Sequence, residues 1–175
     1  MQKQIHLISI LAISLMLVAC DSKKIKPNLL DAADIYNAHP EAFAEIVLSR
    51  PKPLLEFTRI PARDPMLETT QNTKLIARLR KNFPIEHIDF YPRSRSGRDE
   101  IDVVIKRYGQ NTEWTVVSVI YLSKPLSPPS EGSNMELFDK CDHRSVDWLE
   151  KNKKKGPALV FCQINSEWYA YQKIG

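Results

Sequence analysis

Alternating apolar and polar positions predict β-strands in the second half of the chain. Over the range 100–108, Ile101, Val103 and Ile105 alternate with polar residues that include Asp102 and Lys106. This is the period of a strand with one buried face, so Asp102 and Lys106 are expected to face solvent. The range 113–122 is apolar on both sides, as in a central strand that is covered on both faces. Further strands are predicted over 85–91, 158–164 and 168–174, with a short one at 54–58.

Helical spacing replaces this alternation in the first half. Phe43, Ile46 and Val47 share one helical face, and Pro40 suits the first position of the helix that carries them. Helices are predicted over 29–37, 41–49, 70–82 and 142–153, and the lysines at 153–155 suit the negative C-terminal end of the last one. A proline-rich loop, 123–134, precedes that helix.

This order of elements predicts an α+β fold. N-terminal helices would pack on a four- to five-stranded antiparallel sheet, and one further helix would precede the last two strands. The range 29–175 is expected to form a single domain, which is large enough to bury a core.

The first 20 residues follow a different pattern. Lys3 precedes an apolar, uncharged stretch at 7–19, and Ala19 places a small residue before Cys20. The stretch is shorter than the roughly 20 apolar residues that cross a bilayer, and polar residues follow it at once. This is the anatomy of a signal peptide, which would comprise residues 1–19.

The sequence Leu17-Val18-Ala19-Cys20 resembles the lipobox of bacterial lipoproteins. The resemblance implies cleavage before Cys20, diacylglycerol on its sulfur and usually an acyl chain on its amine. A multiply acylated Cys20 would hold the chain firmly on a membrane facing the periplasm, with residues 20–28 as a polar tether. Asp21 resembles the inner-membrane retention signal of enteric lipoproteins, so the inner membrane is favoured and the outer membrane is the alternative.

Composition and motifs favour no enzyme class. The formal net charge of the whole chain is +4, which is too mild to indicate nucleic acid as a partner. The chain contains no P-loop, no glycine-rich nucleotide fingerprint and no hydrolase or zinc-protease motif. We therefore assign no cofactor, and the sequence leaves the oligomeric state open.

Cys141 and Cys162 remain as an even pair once Cys20 is acylated. In an oxidising compartment such a pair predicts a disulfide. The chain-entropy treatment gives about 3.4 kcal/mol for closing a loop of about 22 residues. The alternative is a catalytic thiol or a metal site at Cys141-Asp142-His143, which would want further ligands.

Two places in the sequence are candidates for catalysis. His87 and Asp89 fall on the same side of a predicted strand, where an exposed pair without a function is the favoured interpretation. Glu167 lies in a predicted turn and needs no function there. We therefore assign no catalytic residue and no metal ligand.

The most distinctive polar motif in the sequence is formed by Arg93, Arg95 and Arg98. Three guanidinium groups in one loop would clamp a carboxylate, a phosphate or an acidic protein surface, although a solvated loop is the simpler interpretation. With Pro128 and Pro129 of the proline-rich loop they form the predicted partner-binding surface.

These features favour a membrane-anchored envelope lipoprotein that binds a periplasmic or envelope protein without catalysis, as inhibitor and immunity proteins do. A structural accessory of an envelope or secretion assembly is the first alternative. A cell-wall or lipid hydrolase is the second, and it would require acidic or histidine residues that converge in one pocket.

Overall fold

The computed structural model describes residues 26–50, 56–61, 80–81, 84–92, 97–110 and 113–175. The predicted acylation site Cys20, the leader 1–19, Arg93 and Arg95 lie outside these residues. So does most of the helix predicted over 70–82, of which Arg80 and Lys81 are helical.

Three helices are present in the described part of the chain, and all three were predicted to within one or two residues. They are α1 (Leu29–Ala38), α2 (Pro40–Leu48) and α3 (His143–Asn152), and a 3-10 turn at Lys153–Lys155 follows α3. The start of α1 is fixed by a capping box, in which Asn28 Oδ1 accepts from the Asp31 N–H at 3.4 Å and the Asp31 carboxylate accepts from the Asn28 N–H at 2.6 Å. Asp142 caps α3 by accepting from the Arg144 N–H at 2.9 Å.

The sheet has seven described strands, in the order β1-β2-β3-β4-β7-β6-β5. The strands are β1 (Thr58–Pro61), β2 (His87–Tyr91), β3 (Glu100–Gln110), β4 (Glu113–Leu122), β5 (Met135–Phe138), β6 (Ala158–Gln163) and β7 (Trp168–Ile174). The α+β class is confirmed, and five of these strands match predicted ranges closely. β1 only touches the end of the predicted 54–58 strand.

The predicted strand number and the all-antiparallel arrangement are wrong. β5 was not predicted, because its four residues are all half-buried and show no alternation. It pairs parallel with β6, and α3 makes the crossover between them, which makes the sheet mixed. The other neighbouring strands pair antiparallel.

The three helices lie against one face of the sheet, which we call the helix-covered face. Tyr36 of α1 and Phe43 of α2 meet Trp168 of β7, with ring centroids 5.1–5.4 Å apart. The main core is built here from fully buried residues that include Leu29, Ile46, Ile88, Phe90, Ile101, Val103, Val119, Leu149 and Val160.

The opposite face of the sheet is also buried, in two different ways. Towards β6 it is apolar: Ile120, Leu122, Phe161 and Tyr169 pack together, and Leu126 of the proline-rich loop packs on them. Towards β2 its buried side chains are mostly polar, those of His87, Asp89, Asp102 and Ser118, and Val104 lies opposite His87 and Ser118 among them.

The prediction that Asp102 faces solvent is therefore wrong, since only 9% of Asp102 is exposed. Lys106 is exposed as predicted, and its ammonium lies 2.8 Å from a carboxylate oxygen of Glu86.

The two ends of the sheet differ in what they carry. We call the end where residues 26–28 join the domain the proximal end: there the Tyr108 hydroxyl donates to the Pro27 carbonyl at 3.2 Å, and Gln172 Oε1 accepts from the Leu29 N–H at 2.9 Å. The distal end is where β2 and β4 finish and β3 and β7 begin. The ten residues of β4 place the two ends about 30 Å apart. No helix in the described ranges is both long enough and apolar enough to cross a membrane.

Candidate partner-binding surface

The two loops that carry the predicted contact residues are joined at the distal end of the sheet. The Ser123 N–H donates to the Asp99 carbonyl at 3.1 Å, and Ser123 Oγ accepts from the Asp99 N–H at 2.8 Å. Lys124 Nζ lies over Gly97, only 3.3 Å from where a Cβ on that glycine would stand. The start of the proline-rich loop therefore rests directly on the end of the arginine loop.

Arg50 fixes this junction to the helices. It follows α2, pairs with the Asp99 carboxylate at 2.8 Å and donates to the Tyr91 carbonyl at 3.2 Å. Its side chain is only 16% exposed. A partly buried pair of this kind restrains the backbone more than an exposed one does. These contacts hold the first residues of the distal loops in place against the sheet.

Arg98 is the one predicted arginine among the described residues, and it is half-buried. It lies close enough to Glu100 to act on that carboxyl: burial raises the pKa of Glu100, and the positive charge of Arg98 partly opposes the rise. Arg98 is therefore part of the folded base of its loop.

Sequence reasoning missed two apolar residues at the same end. Leu48 is 81% exposed and Phe57 is 48% exposed. Leu48 lies two residues before Arg50, and the Phe57 ring is 5.2 Å from that of Tyr91, whose carbonyl Arg50 holds. A signal for Leu48 was present in the sequence, because it falls off the face that Phe43, Ile46 and Val47 define on α2.

The structure separates Pro128 and Pro129 from Arg98. The proline-rich loop begins at the distal end but finishes at the proximal one, where the Asn134 side-chain amide donates to the carbonyls of Gly156 and Pro157. The two prolines lie between these points and line a shallow hollow of about 450 Å³ beside β5. The predicted surface is thus divided, and its distal part contains Arg98 without the prolines.

Cys141 and Cys162 lie at disulfide distance, with Cα atoms 5.0 Å apart. Cys162 is fully buried in the core under the helices, and Cys141 precedes α3. The pair connects the start of α3 to β6, as the sequence indicated. For the alternative of a metal site, no group of three or more His, Cys, Asp or Glu side chains in the described part of the chain could hold an ion.

His87 and Asp89 belong to a buried polar row, so the interpretation of an exposed pair is wrong. They are 8% and 2% exposed. Arg59 binds both oxygens of Asp89 at 2.7 Å, and His87 Nε2 lies 3.5 Å from Asp89 Oδ2. Burial alone would raise the pKa of Asp89, but the hydrogen bonds from Arg59, together with the nearby His87 ring, outweigh it and lower that pKa.

Asp102 lies directly opposite Asp89 on the next strand. Burial, together with the charges of Asp89 and Glu100, raises its pKa to about 7, although hydrogen bonding from Ser118 acts in the other direction. The two groups are poorly aligned for that bond, because neither Asp102 Oδ1 nor Ser118 Oγ has a partner of normal hydrogen-bond geometry in the described part of the chain. A buried carboxyl held in this way favours its neutral form.

The other candidate carboxylate, Glu167, does not join this row. It is exposed in the turn before β7, where it accepts from the Tyr121 hydroxyl at 3.3 Å. Three inter-strand spacings, about 14 Å, separate β7 from β2. The acidic and histidine residues weighed for hydrolysis therefore do not converge.

A scan against protein-family models, a search of curated proteins and a search of solved structures each found no match for this chain.

Proposed function

We propose that this chain is a membrane-anchored lipoprotein of the bacterial envelope that binds a partner protein without catalysis, as an inhibitor or immunity protein does. The observation that carries the proposal is the position of Leu48, Phe57 and Arg98. All three belong to the distal end of the sheet, while the chain that leads to Cys20 joins the domain at the proximal end.

The chemistry of this end suits protein recognition. Aromatic residues and arginine are enriched among the residues that dominate binding energy, and exposed apolar side chains that lie together mark interaction sites. Leu48 and Phe57 are the large apolar residues that the described part of the chain leaves exposed. We expect them to supply the apolar centre of the contact and Arg98 to supply charge at its edge.

The rigid base of the distal loops favours binding further. Arg50, Asp99 and Ser123 hold the loop ends through side-chain contacts. A surface that is ordered before binding loses less conformational entropy when the partner arrives. Occlusion of a partner's site would need only this surface and no reacting group.

The anchor sets the direction of the surface. With Cys20 in the membrane, the proximal end faces the bilayer and the distal end stands about 30 Å away, towards periplasmic partners. The predicted acylation itself is checked by the mass of the N-terminal peptide of the protein isolated from the envelope.

Site-specific photocrosslinking in intact cells tests the contact. A photoreactive amino acid at Leu48 or Phe57 of the full chain should give one discrete protein adduct, and the same amino acid at the exposed proximal Lys154 should not give it. Adducts that are equally strong from all three positions, or none from Leu48 and Phe57, would refute the distal surface.

The partner's identity then separates inhibition from assembly. A cell-wall-degrading enzyme or a toxin in the adduct supports the inhibitor or immunity role. A component of a secretion or envelope apparatus would replace that role by the accessory one. Leu48→Asp should remove the adduct without unfolding the domain. The exposed change Lys140→Asp, beyond the edge strand β5, should leave the adduct in place.

A further inference from the structure

The proximal end of the sheet carries a cluster of lysines that the proposed contact does not use. Lys26, Lys153 and Lys154 line one open cavity of about 860 Å³. All three lysines are exposed. Since Lys26 belongs to the incoming chain and the other two follow α3, the fold brings together charges that are far apart in sequence.

Two acidic side chains lie near this cluster, Glu150 and Asp31, and both act on Tyr108. Glu150 lines the same cavity and pairs with Lys153. Lys154 has no ion pair or hydrogen bond in the described part of the chain, and the Lys26 ammonium lies 5.2 Å from the centre of the Tyr108 ring. Positive charge therefore remains at the mouth of the cavity.

Aromatic side chains accompany these charges. Tyr108 lies under Lys26, and Trp114, at the start of β4, lies 4.9 Å from the Lys173 ammonium. Both rings are half-buried. Tyrosine, tryptophan and lysine together are the residues that favour the boundary between the headgroups and the apolar part of a bilayer.

The position of the predicted anchor adds an independent argument, which rests on the proposed lipidation. Residues 20–25 span at most about 21 Å when fully extended, so an acylated Cys20 keeps Lys26 within that distance of the headgroups. The lysines at 153 and 154 line the same cavity as Lys26 and would be confined to the same region.

We propose that the proximal end is a docking surface for a bilayer that contains anionic phospholipid, and that Lys26, Lys153 and Lys154 bind its phosphate groups. Docking there fixes the orientation of the domain, so that the distal end points away from the membrane. Each lysine near an anionic surface strengthens such binding about fivefold, and salt weakens it.

The test uses the full chain, isolated from the envelope and reconstituted in phosphatidylcholine vesicles with or without phosphatidylglycerol. A water-soluble acylating reagent modifies accessible lysines, and mass spectrometry gives the rate at each position. We expect the rates at Lys26, Lys153 and Lys154 to fall severalfold on the anionic vesicles and to recover at high salt. Lys140, which follows the distal end of β5, serves as the internal control and should not change.

A pair of variants with equal loss of charge makes the test specific. Lys153→Gln with Lys154→Gln should remove most of the protection of Lys26, whereas Lys124→Gln with Lys140→Gln should leave it unchanged. Equal modification rates on neutral and anionic vesicles at low salt, or an equal effect of the two variants, would overturn the docking surface. An unmodified Cys20 in the same spectra would refute the lipid anchor alone, because lysine protection is measured separately from it.

Discussion

The two faces of the sheet are both buried, yet they are built from different chemistry. Against the helices, Phe43, Ile101 and Val103 form an apolar core with no exposed surface. On the other face, Asp89 and Asp102 occupy opposite positions on neighbouring strands and are as inaccessible as many core residues. The first face gains free energy from burial, and the second retains two carboxyls whose burial is costly unless they are neutral or paired.

The difference shows how the two carboxyls are accommodated. Asp89 stays charged because Arg59 binds both of its oxygens. Asp102 has no such partner among the described residues, and its pKa is raised to about 7. The same residue type thus has opposite pKa shifts at adjacent positions. The polar face is therefore expected to respond to pH in a way that the apolar face cannot.

The largest effect is expected on the helix-covered face. Phe43→Ala removes a fully buried ring that contacts Tyr36 and Trp168, and it should lower the free energy of unfolding by about 4 kcal/mol. Urea denaturation followed by circular dichroism measures this. Leu48→Ala on the same helix is the matched control, and because Leu48 is 81% exposed it should change stability by less than about 0.5 kcal/mol. Similar losses for the two variants would mean that α2 does not pack as described.

The cysteine pair comes next. Cys141→Ala with Cys162→Ala should lower the free energy of unfolding by about 3 kcal/mol, since the unfolded chain loses its cross-link. Adding a reductant to the unchanged chain should reproduce most of that loss and should not affect the double variant. A variant as stable as the unchanged oxidised chain would argue against a disulfide in the mature protein, as would free thiols at these positions in protein taken from the envelope.

The apolar pattern was sufficient to predict most of the elements but not the environment of every residue. Period-two alternation correctly assigned Ile101 and Val103 to one face and Asp102 to the other. It does not determine whether the second face is covered, so the exposure predicted for Asp102 and for the pair His87 and Asp89 was wrong. Alternation assigns a side chain to a face, and burial depends on what packs there.

The remaining errors have a similar origin. β5 was missed because four half-buried residues carry no period, and its parallel pairing depends on the crossover through α3. Of the proposed distal surface, the sequence singles out Arg98, whereas Leu48 and Phe57 lie at the same end only through the contacts of Arg50 and Tyr91. Such contacts connect residues from different elements, and no local sequence pattern encodes them.

The smallest predicted effect tests the polar face directly. Asp102→Asn replaces a carboxyl by a neutral group of the same shape, and at pH 8 it should raise the free energy of unfolding by about 2 kcal/mol. A shift of the Asp102 pKa from its ordinary value to about 7 corresponds to about 4 kcal/mol of stability. Relaxation of the structure around the charged carboxylate should make the measured gain smaller than this. Urea denaturation of both proteins between pH 4 and pH 8 measures the difference.

The sign of the pH dependence decides whether burial controls this carboxyl. Between the ordinary pKa of an aspartate and about 7, the folded chain holds a proton on Asp102 that the unfolded chain has lost. The unfolded state binds fewer protons there, so the contribution of Asp102 to stability is complete in acid and is lost as the pH rises towards 7. The advantage of Asp102→Asn should therefore be small near pH 4 and grow up to about pH 7.

Asp89 acts in the opposite direction, because its lowered pKa makes its contribution disappear only on acidification. An advantage that stayed constant across this range, or grew towards acid, would mean that Asp102 is charged in the folded state. The pKa values of Asp89 and Asp102 would then not be shifted in opposite directions.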